Sequence, residues 1–203
     1  MRPTMKLMSA VALCALSTAA HAQSQGDWKL GLGVASVSPN GGTSNTLAGP
    51  VDVDPNIRPI VTAEYFIADR IGIELLASWP FEHDINLGGA EVASTKHLPP
   101  TLSLQYYFVN NSNWTPFIGA GVNYTHFFDE STSGALTGAS ISLDDSFGFA
   151  LHAGIDYRVN ERGSVRADIR WADIDTDVEV NGLPIGEVSI DPFIYGISYV
   201  IDF

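Results

Sequence analysis

The segment Phe193-Ile-Tyr-Gly-Ile-Ser-Tyr-Val-Ile-Asp-Phe203 closes the chain and decides its fold. Its large apolar residues occupy every second position: Phe193, Tyr195, Ile197, Tyr199, Ile201 and Phe203. Such period-two alternation is typical of a β-strand with one apolar face. The segment is also long enough to cross a bilayer as a tilted strand, which takes about 9–11 residues. It therefore predicts a membrane-spanning strand that ends on an aromatic residue.

Seven earlier segments share this alternation and this length. They are residues 28–37, 57–66, 71–81, 98–108, 115–128, 146–159 and 164–180. In the sixth of them, Phe147, Phe149 and Leu151 share one face, whereas Gly148 and Ala150 belong to the other. Apolar residues outward and small or polar residues inward form the pattern of a barrel strand in lipid.

The connections between these segments alternate in length. The gaps at 38–56, 82–97 and 129–145 are long, those at 67–70, 109–114 and 160–163 are short, and 181–187 is intermediate. Outer-membrane barrels join their strands by long outer loops and tight periplasmic turns. The sequence therefore predicts an all-β fold, an eight-stranded antiparallel transmembrane β-barrel with periplasmic termini. A soluble barrel or sandwich of the lipocalin kind also fits the length and alternation, but the long strands and their aromatic ends favour the membrane barrel.

The first residues predict a secretory signal peptide. Residues 1–22 combine a basic start, an apolar stretch and the small-residue site Ala20-His21-Ala22, which is the composition of a cleaved export signal. The apolar stretch is too short for a spanning helix. We expect cleavage after Ala22, which leaves residues 23–203 as one outer-membrane barrel. Cys14, the only cysteine, is lost with the signal.

The charge of the mature chain disfavours a nucleic-acid partner. Removing Arg2 and Lys6 from the 10 basic residues leaves 8 against 23 acidic ones, a net charge of −15. Binding to phosphates needs a basic surface, and the sequence shows none.

Several motifs resemble the outer membrane protein W (OmpW) family. They are Ile71-Gly-Ile-Glu-Leu-Leu-Ala-Ser-Trp-Pro-Phe81, Lys96-His-Leu-Pro-Pro-Thr-Leu102, Pro116-Phe-Ile-Gly-Ala-Gly-Val-Asn-Tyr-Thr-His-Phe-Phe128, Asp173-Ile-Asp-Thr176 and Asp191-Pro-Phe193. The resemblance covers nearly all of the mature chain. It implies an eight-stranded barrel with a narrow, largely apolar interior that admits small hydrophobic molecules, and the related alkane-uptake barrels suggest the same substrate class. Fold and family do not fix the cargo.

Strand alternation also predicts which side chains fill the lumen. The expected apolar upper set is Ile174, Val178, Val180, Val188, Ile190 and Ile194. The expected charged lower set is Glu64, Glu74, Asp156, Arg158, Arg166, Asp168 and Arg170. Because an unpaired buried charge is costly, the lower set should form a salt-bridged plug near the periplasmic side. Arg170 stands where the resemblance leads us to expect a large apolar or aromatic residue, which indicates a more polar or more tightly closed lumen.

Two functions remain open at this point. The first is passive uptake of small hydrophobic molecules, with lateral release into the membrane where prolines such as Pro80, Pro99, Pro100 and Pro192 interrupt the wall. The second is a non-transporting barrel that supports the membrane or interacts through its loops. An open aqueous pore is disfavoured because eight strands enclose little more than their own side chains.

The sequence predicts neither an enzyme nor a cofactor or metal site. It contains no zinc-ligand spacing, nucleophile elbow or phosphate loop, and no compact motif of a lipid-modifying enzyme. His97 is expected to be structural, near the base of a loop. The expected partners are outer-membrane lipids and lipopolysaccharide, small hydrophobic solutes, and the outer-membrane assembly machinery, for which Phe203 is the expected signal.

Overall fold

The computed structural model describes residues 23–40, 44–46, 51–53, 55–87 and 89–203. The predicted signal peptide lies outside these residues. The strands in chain order are β1 (Trp28–Ser38), β2 (Ser44–Thr46), β3 (Val51–Val53), β4 (Asn56–Ala68), β5 (Ile71–Ser78), β6 (Phe81–Leu87), β7 (Ala90–Leu98), β8 (Thr101–Tyr107), β9 (Trp114–Thr132), β10 (Ile141–Leu143), β11 (Ser146–Arg158), β12 (Gly163–Ala172), β13 (Asp175–Val180), β14 (Leu183–Ser189) and β15 (Phe193–Asp202). Gly134–Leu136 forms a short 3₁₀ helix. No helix among the described residues is long and apolar enough to cross a membrane.

The described strands close into an antiparallel ring of eight. Its order is β9-β11-β12-β15-β1-β4-β5-β8, and β8 pairs again with β9. The first and last strands are neighbours, and the backbone N–H of Phe203 donates to the carbonyl of Trp28 at 2.9 Å. The two chain ends of the barrel therefore lie on the same side, at the end with the short turns. This confirms the predicted eight-stranded barrel.

The wall of the barrel shows apolar side chains to its surroundings. Leu32 on β1 is 67% exposed, and Phe147 and Phe149 on β11 are 72% and 71% exposed. Their sequence neighbours face inward and are buried or half-buried. An outward apolar band of this kind is stabilised by the hydrocarbon of a bilayer, where each backbone group must find its hydrogen bond within the closed wall.

The long loops differ from the prediction because they continue the sheet beyond the barrel. The predicted third strand, 71–81, ends at Ser78, before Pro80, and the predicted loop 82–97 is a hairpin of β6 and β7. Proline has no N–H to donate and interrupts a ladder. β7 then pairs with the outer part of β9, which extends the wall outward.

The predicted seventh strand, 164–180, is also divided. β12 ends at Ala172, and β13 begins at Asp175 in a second, four-stranded sheet of the order β10-β13-β14-β2. The break occurs where the backbone N–H of Ile174 donates to the carboxylate of Asp191 at 3.2 Å instead of to a ladder carbonyl. The second sheet and the β6–β7 hairpin together form the outer extension of the barrel.

Candidate functional site

Arg166 is the centre of a charged cluster in the lower lumen. Its guanidinium donates to Glu74 at 2.6 Å, to Asp156 at 2.7 Å and to the hydroxyl of Tyr107 at 2.6 Å. All four side chains are almost completely buried. Burying charges is tolerated only when each finds good partners, and the planar guanidinium supplies several donors in a fixed geometry.

Further ion pairs extend this cluster across the barrel. Arg170 donates to Glu74 at 2.6 Å and to Asp168 at 3.3 Å, and Lys29 donates to Asp156 at 3.0 Å. His152 contacts Asp168 through Nε2 at 3.2 Å. Glu74 lies on β5, whereas Arg166 and Arg170 lie on β12, on the other side of the ring. The contacts therefore join opposite walls of the barrel. We call this set the plug: Lys29, Glu64, Glu74, Tyr107, His152, Asp156, Arg166, Asp168 and Arg170.

Close packing of neighbouring residues also fills the plug, in addition to its ion pairs. The ring of Phe117 lies under Arg166, with 4.4 Å between its centroid and the guanidinium carbon. The Tyr107 hydroxyl donates to Glu64 at 2.6 Å. A Cβ at Gly72 would collide with the Glu64 carboxylate, so glycine there provides the space for this side chain. An apolar solute would have to separate buried ion pairs in order to pass, which is energetically unfavourable.

The structure brings six of the seven lower-lumen residues into the plug. Arg158 is half-exposed near the periplasmic end of β11 and lies outside it. Three members were missed as site residues, namely Lys29, Tyr107 and His152. For Lys29 the sequence contained a signal: the residue alternates with the outward Trp28 and Leu30 on β1, which predicts an inward side chain.

An apolar cavity of about 80 Å³ lies in the outer extension, between the hairpin β6–β7 and the second sheet. One side is formed by the rings of His83, His97 and Phe127. The other side is aliphatic and includes four of the predicted upper-lumen residues, Val178, Val180, Val188 and Ile190.

The other two predicted upper-lumen residues lie elsewhere. Ile174 is buried beside Phe127 and Ala172, and Ile190 packs against this group. Ile194 belongs to a separate apolar cluster with Ala35, Val37, Ile60, Leu76 and Phe81. The apolar filling of the upper half is thus divided into two clusters and a cavity.

A wider groove, of about 460 Å³, lies on the outward face of the wall. It is lined by Ala77, Ser78, Leu98, Pro100, Tyr124 and His126. The β5–β8 ladder stops at the pair Leu76 and Thr101. Pro99 and Pro100 then provide no N–H to the wall. The groove therefore lies where the ladder between β5 and β8 ends.

The cavity and the groove are separated by a single layer of strands. His97 faces the cavity, and the next residue, Leu98, faces the groove. Phe127 and His126 repeat the same relation on β9, which pairs with β7. The groove side is braced by Asp145, which accepts from Tyr124 at 2.5 Å and contacts His126 at 2.8 Å.

The fold and the site define a small β-barrel of the outer membrane, with a closed lower lumen and an apolar cavity in its outer half. The family model described as "OmpW family" matches residues 11–203, and the chain belongs to this family. It is accordingly a protein of the outer membrane of Gram-negative bacteria. The family resemblance read from the sequence motifs is confirmed.

The relatives agree with this assignment over most of the chain. Outer membrane protein W of Vibrio cholerae serotype O1 is 39% identical over 202 residues, 92% of this chain and 93% of the relative. The dibenzothiophene metabolism operon protein PahQ of Pseudomonas aeruginosa is 29% identical over 157 residues, 74% of this chain and 73% of the relative. The crystal structure of OprG from Pseudomonas aeruginosa superposes with a TM-score of 0.78 at 33% identity and covers 89% of this chain and 97% of OprG.

Proposed function

We propose that this barrel takes up small hydrophobic molecules passively, holds them in the outer cavity and releases them sideways into the membrane through the groove. The observation that supports this most directly is the single layer of strands between cavity and groove, at His97–Leu98 and His126–Phe127. The straight path through the barrel leads instead into the plug.

Energetics favour the sideways route. An apolar solute that enters the cavity gains roughly 25 cal/mol for each Å² of apolar surface it buries. To continue downward it would have to displace side chains such as Arg166 and Glu74, whose charges would lose their partners in a low-dielectric interior. The sideways route does not pass the plug; it meets the strand layer at His97–Leu98 and His126–Phe127, where the wall is interrupted by proline.

The relatives add support for the class of cargo. PahQ is named for a dibenzothiophene metabolism operon, and dibenzothiophene is a small apolar molecule. A relative named for such an operon is consistent with uptake of apolar solutes, and we extend that class to this chain.

Uptake of an apolar probe into cells with and without the barrel tests transport itself. Ile190→Asp should reduce uptake several-fold because it places a carboxylate in the cavity, whereas Leu183→Asp, an exposed position on the β13–β14 hairpin, should leave uptake unchanged. Equal uptake with and without the barrel would instead support the non-transporting alternative.

Cross-linking across the groove tests the route. Ser78→Cys and Tyr124→Cys are introduced together, and the only natural cysteine, Cys14, lies in the predicted signal peptide. A short bifunctional thiol reagent should abolish uptake when both cysteines are linked, while the unlinked double variant stays active. Undiminished uptake through the linked barrel would show that the solute leaves by another path.

A further inference from the structure

One polar group stands out on the wall of the apolar cavity. His97 is 5% exposed and borders the cavity. Among the described residues, none donates a hydrogen bond to its imidazole or accepts one from it. A hydroxyl group of a ligand in the cavity can therefore form a hydrogen bond with this imidazole.

The register explains why this imidazole faces a ring-lined surface. Phe81, His97 and Phe127 lie directly opposite one another across β6, β7 and β9. His83 stacks on His97 with 5.0 Å between ring centroids and 11° between planes. The cavity therefore has an aromatic side, which carries the imidazole of His97, and an aliphatic side.

The charge state of the site restricts the ligand. Burial and the neighbouring His83 lower the pKa of His97 to about 3, so its imidazole is neutral near pH 7, with one N–H donor and one nitrogen acceptor. The residues that line the cavity include no carboxylate, lysine or arginine within the described chain. An anionic or cationic ligand would find no countercharge, whereas a hydroxyl group can donate to the imidazole or accept from it.

The size of the cavity restricts the ligand further. A volume of about 80 Å³ corresponds to roughly five to eight water-sized groups at 10–15 Å³ for each. One ring with a small substituent is of this order. Aromatic ligands also gain from edge-to-face or offset contacts with the neighbouring rings.

We propose that the cavity is a binding site for small, uncharged phenols, in which the hydroxyl bonds to His97 and the ring packs between Phe127 and the aliphatic side formed by Val178 and Val188. This inference rests on the proposed function, because it names a ligand class for the same cavity. It adds that the site discriminates by one hydrogen bond and not by apolar area alone.

The test compares p-cresol with p-xylene, which differ by a hydroxyl in place of a methyl group. Binding is followed by NMR of methyl-labelled valines in the barrel at fixed aqueous ligand concentration. Relative to the partition of the two ligands between water and an alkane, the wild type should favour p-cresol by at least about tenfold, as expected from one hydrogen bond made in the site. His97→Phe keeps a ring and removes both nitrogens, so it should abolish the preference. Ser94→Ala, on the outward side of β7, should retain it.

The outcomes for the phenol site and for hydrophobic uptake can be distinguished. A wild-type preference no different from that partition would overturn the phenol site and leave hydrophobic uptake standing. A preference that persists in His97→Phe would also overturn it. Absence of binding by either ligand, together with uptake that does not depend on the barrel, would overturn the proposed function itself. The wild-type comparison needs no variant, so it stands even if His97→Phe does not assemble.

Discussion

The lower and upper halves of the lumen are built on the same alternating strands but filled in opposite ways. The plug joins opposite walls through ion pairs, centred on Arg166 and Glu74 at 2.6 Å. The upper half packs apolar side chains such as Ile174 and Phe127 and leaves a cavity beside them. Charge pairing gives the lower half closure, whereas incomplete apolar packing gives the upper half room for a ligand.

The two halves also differ in the interactions that stabilise them. An ion-paired interior is sensitive to the loss of any one partner, because the remaining charges stay buried. An apolar interior loses stability in proportion to the atoms removed and the space left behind. The halves should therefore respond differently to single substitutions.

The largest effect is expected from Arg166→Met. It leaves Glu74 and Asp156 without their main partner and should lower the free energy of unfolding by about 3–5 kcal/mol. Urea unfolding in lipid vesicles, followed by tryptophan fluorescence, measures this. The control is Arg58→Met, whose half-exposed guanidinium lies 3.5 Å from Glu82 and should contribute only about 0–1 kcal/mol. Similar losses for the two variants would show that the plug is not the stabilising element we infer.

In the upper half, Ile174→Ala should lower the free energy of unfolding by about 2–5 kcal/mol. Ile174 is 2% exposed and packs against Phe127 and Ala172. The same urea titration applies, with Leu183→Ala on the exposed hairpin as a control expected within about 0.5 kcal/mol of wild type. A loss below that limit for Ile174→Ala would mean that the outer cluster unfolds independently of the barrel.

A double-mutant cycle compares a pair in the plug with an exposed pair. Lys29 and Asp156 are 3.0 Å apart with side chains 3% exposed, whereas Lys96 and Asp129 are 3.3 Å apart and much more exposed. Changing Lys to Met and Asp to Asn, singly and together, should give a coupling of about 0.5–3 kcal/mol in the plug. The exposed pair should give at most about 0.2–1 kcal/mol. Equal couplings would contradict the inferred difference in dielectric environment.

The barrel and the inward position of its charges could be predicted because both follow from the alternation of outward and inward side chains along each strand. A bilayer requires a closed wall, so alternation determines which side chains face lipid. The same parity placed Glu64, Glu74 and Arg166 inward. It applies equally to Lys29, which is buried between the outward Trp28 and Leu30.

The outer extension was predicted as loops although part of its signal was present. Phe81, His83, Ile85 and Leu87 alternate with polar residues, which is a strand pattern. The pairing of β7 with β9 and the resulting row of rings could not be predicted, since register between strands that are distant in sequence depends on packing and not on local alternation. For the same reason the sequence did not separate Ile194 from the cavity.

The smallest expected effect is a loss of stability of the β6–β7 hairpin at acid pH. The pKa of His97 falls from its usual 6.5 to about 3 because burial removes hydration from the charged ring and because His83 lies beside it. Between these two pH values the unfolded chain binds a proton that the folded hairpin excludes, so the contribution of His97 to stability is complete above pH 6.5 and is lost as the pH falls toward 3.

Hydrogen exchange of the β6–β7 amides between pH 7 and 4 should therefore show less protection in acid. His97→Phe should reduce this dependence, and Ser94→Ala should preserve it. An identical pH dependence in His97→Phe would place the acid sensitivity of the hairpin in other groups, and it would remove the evidence that the imidazole is held neutral by burial.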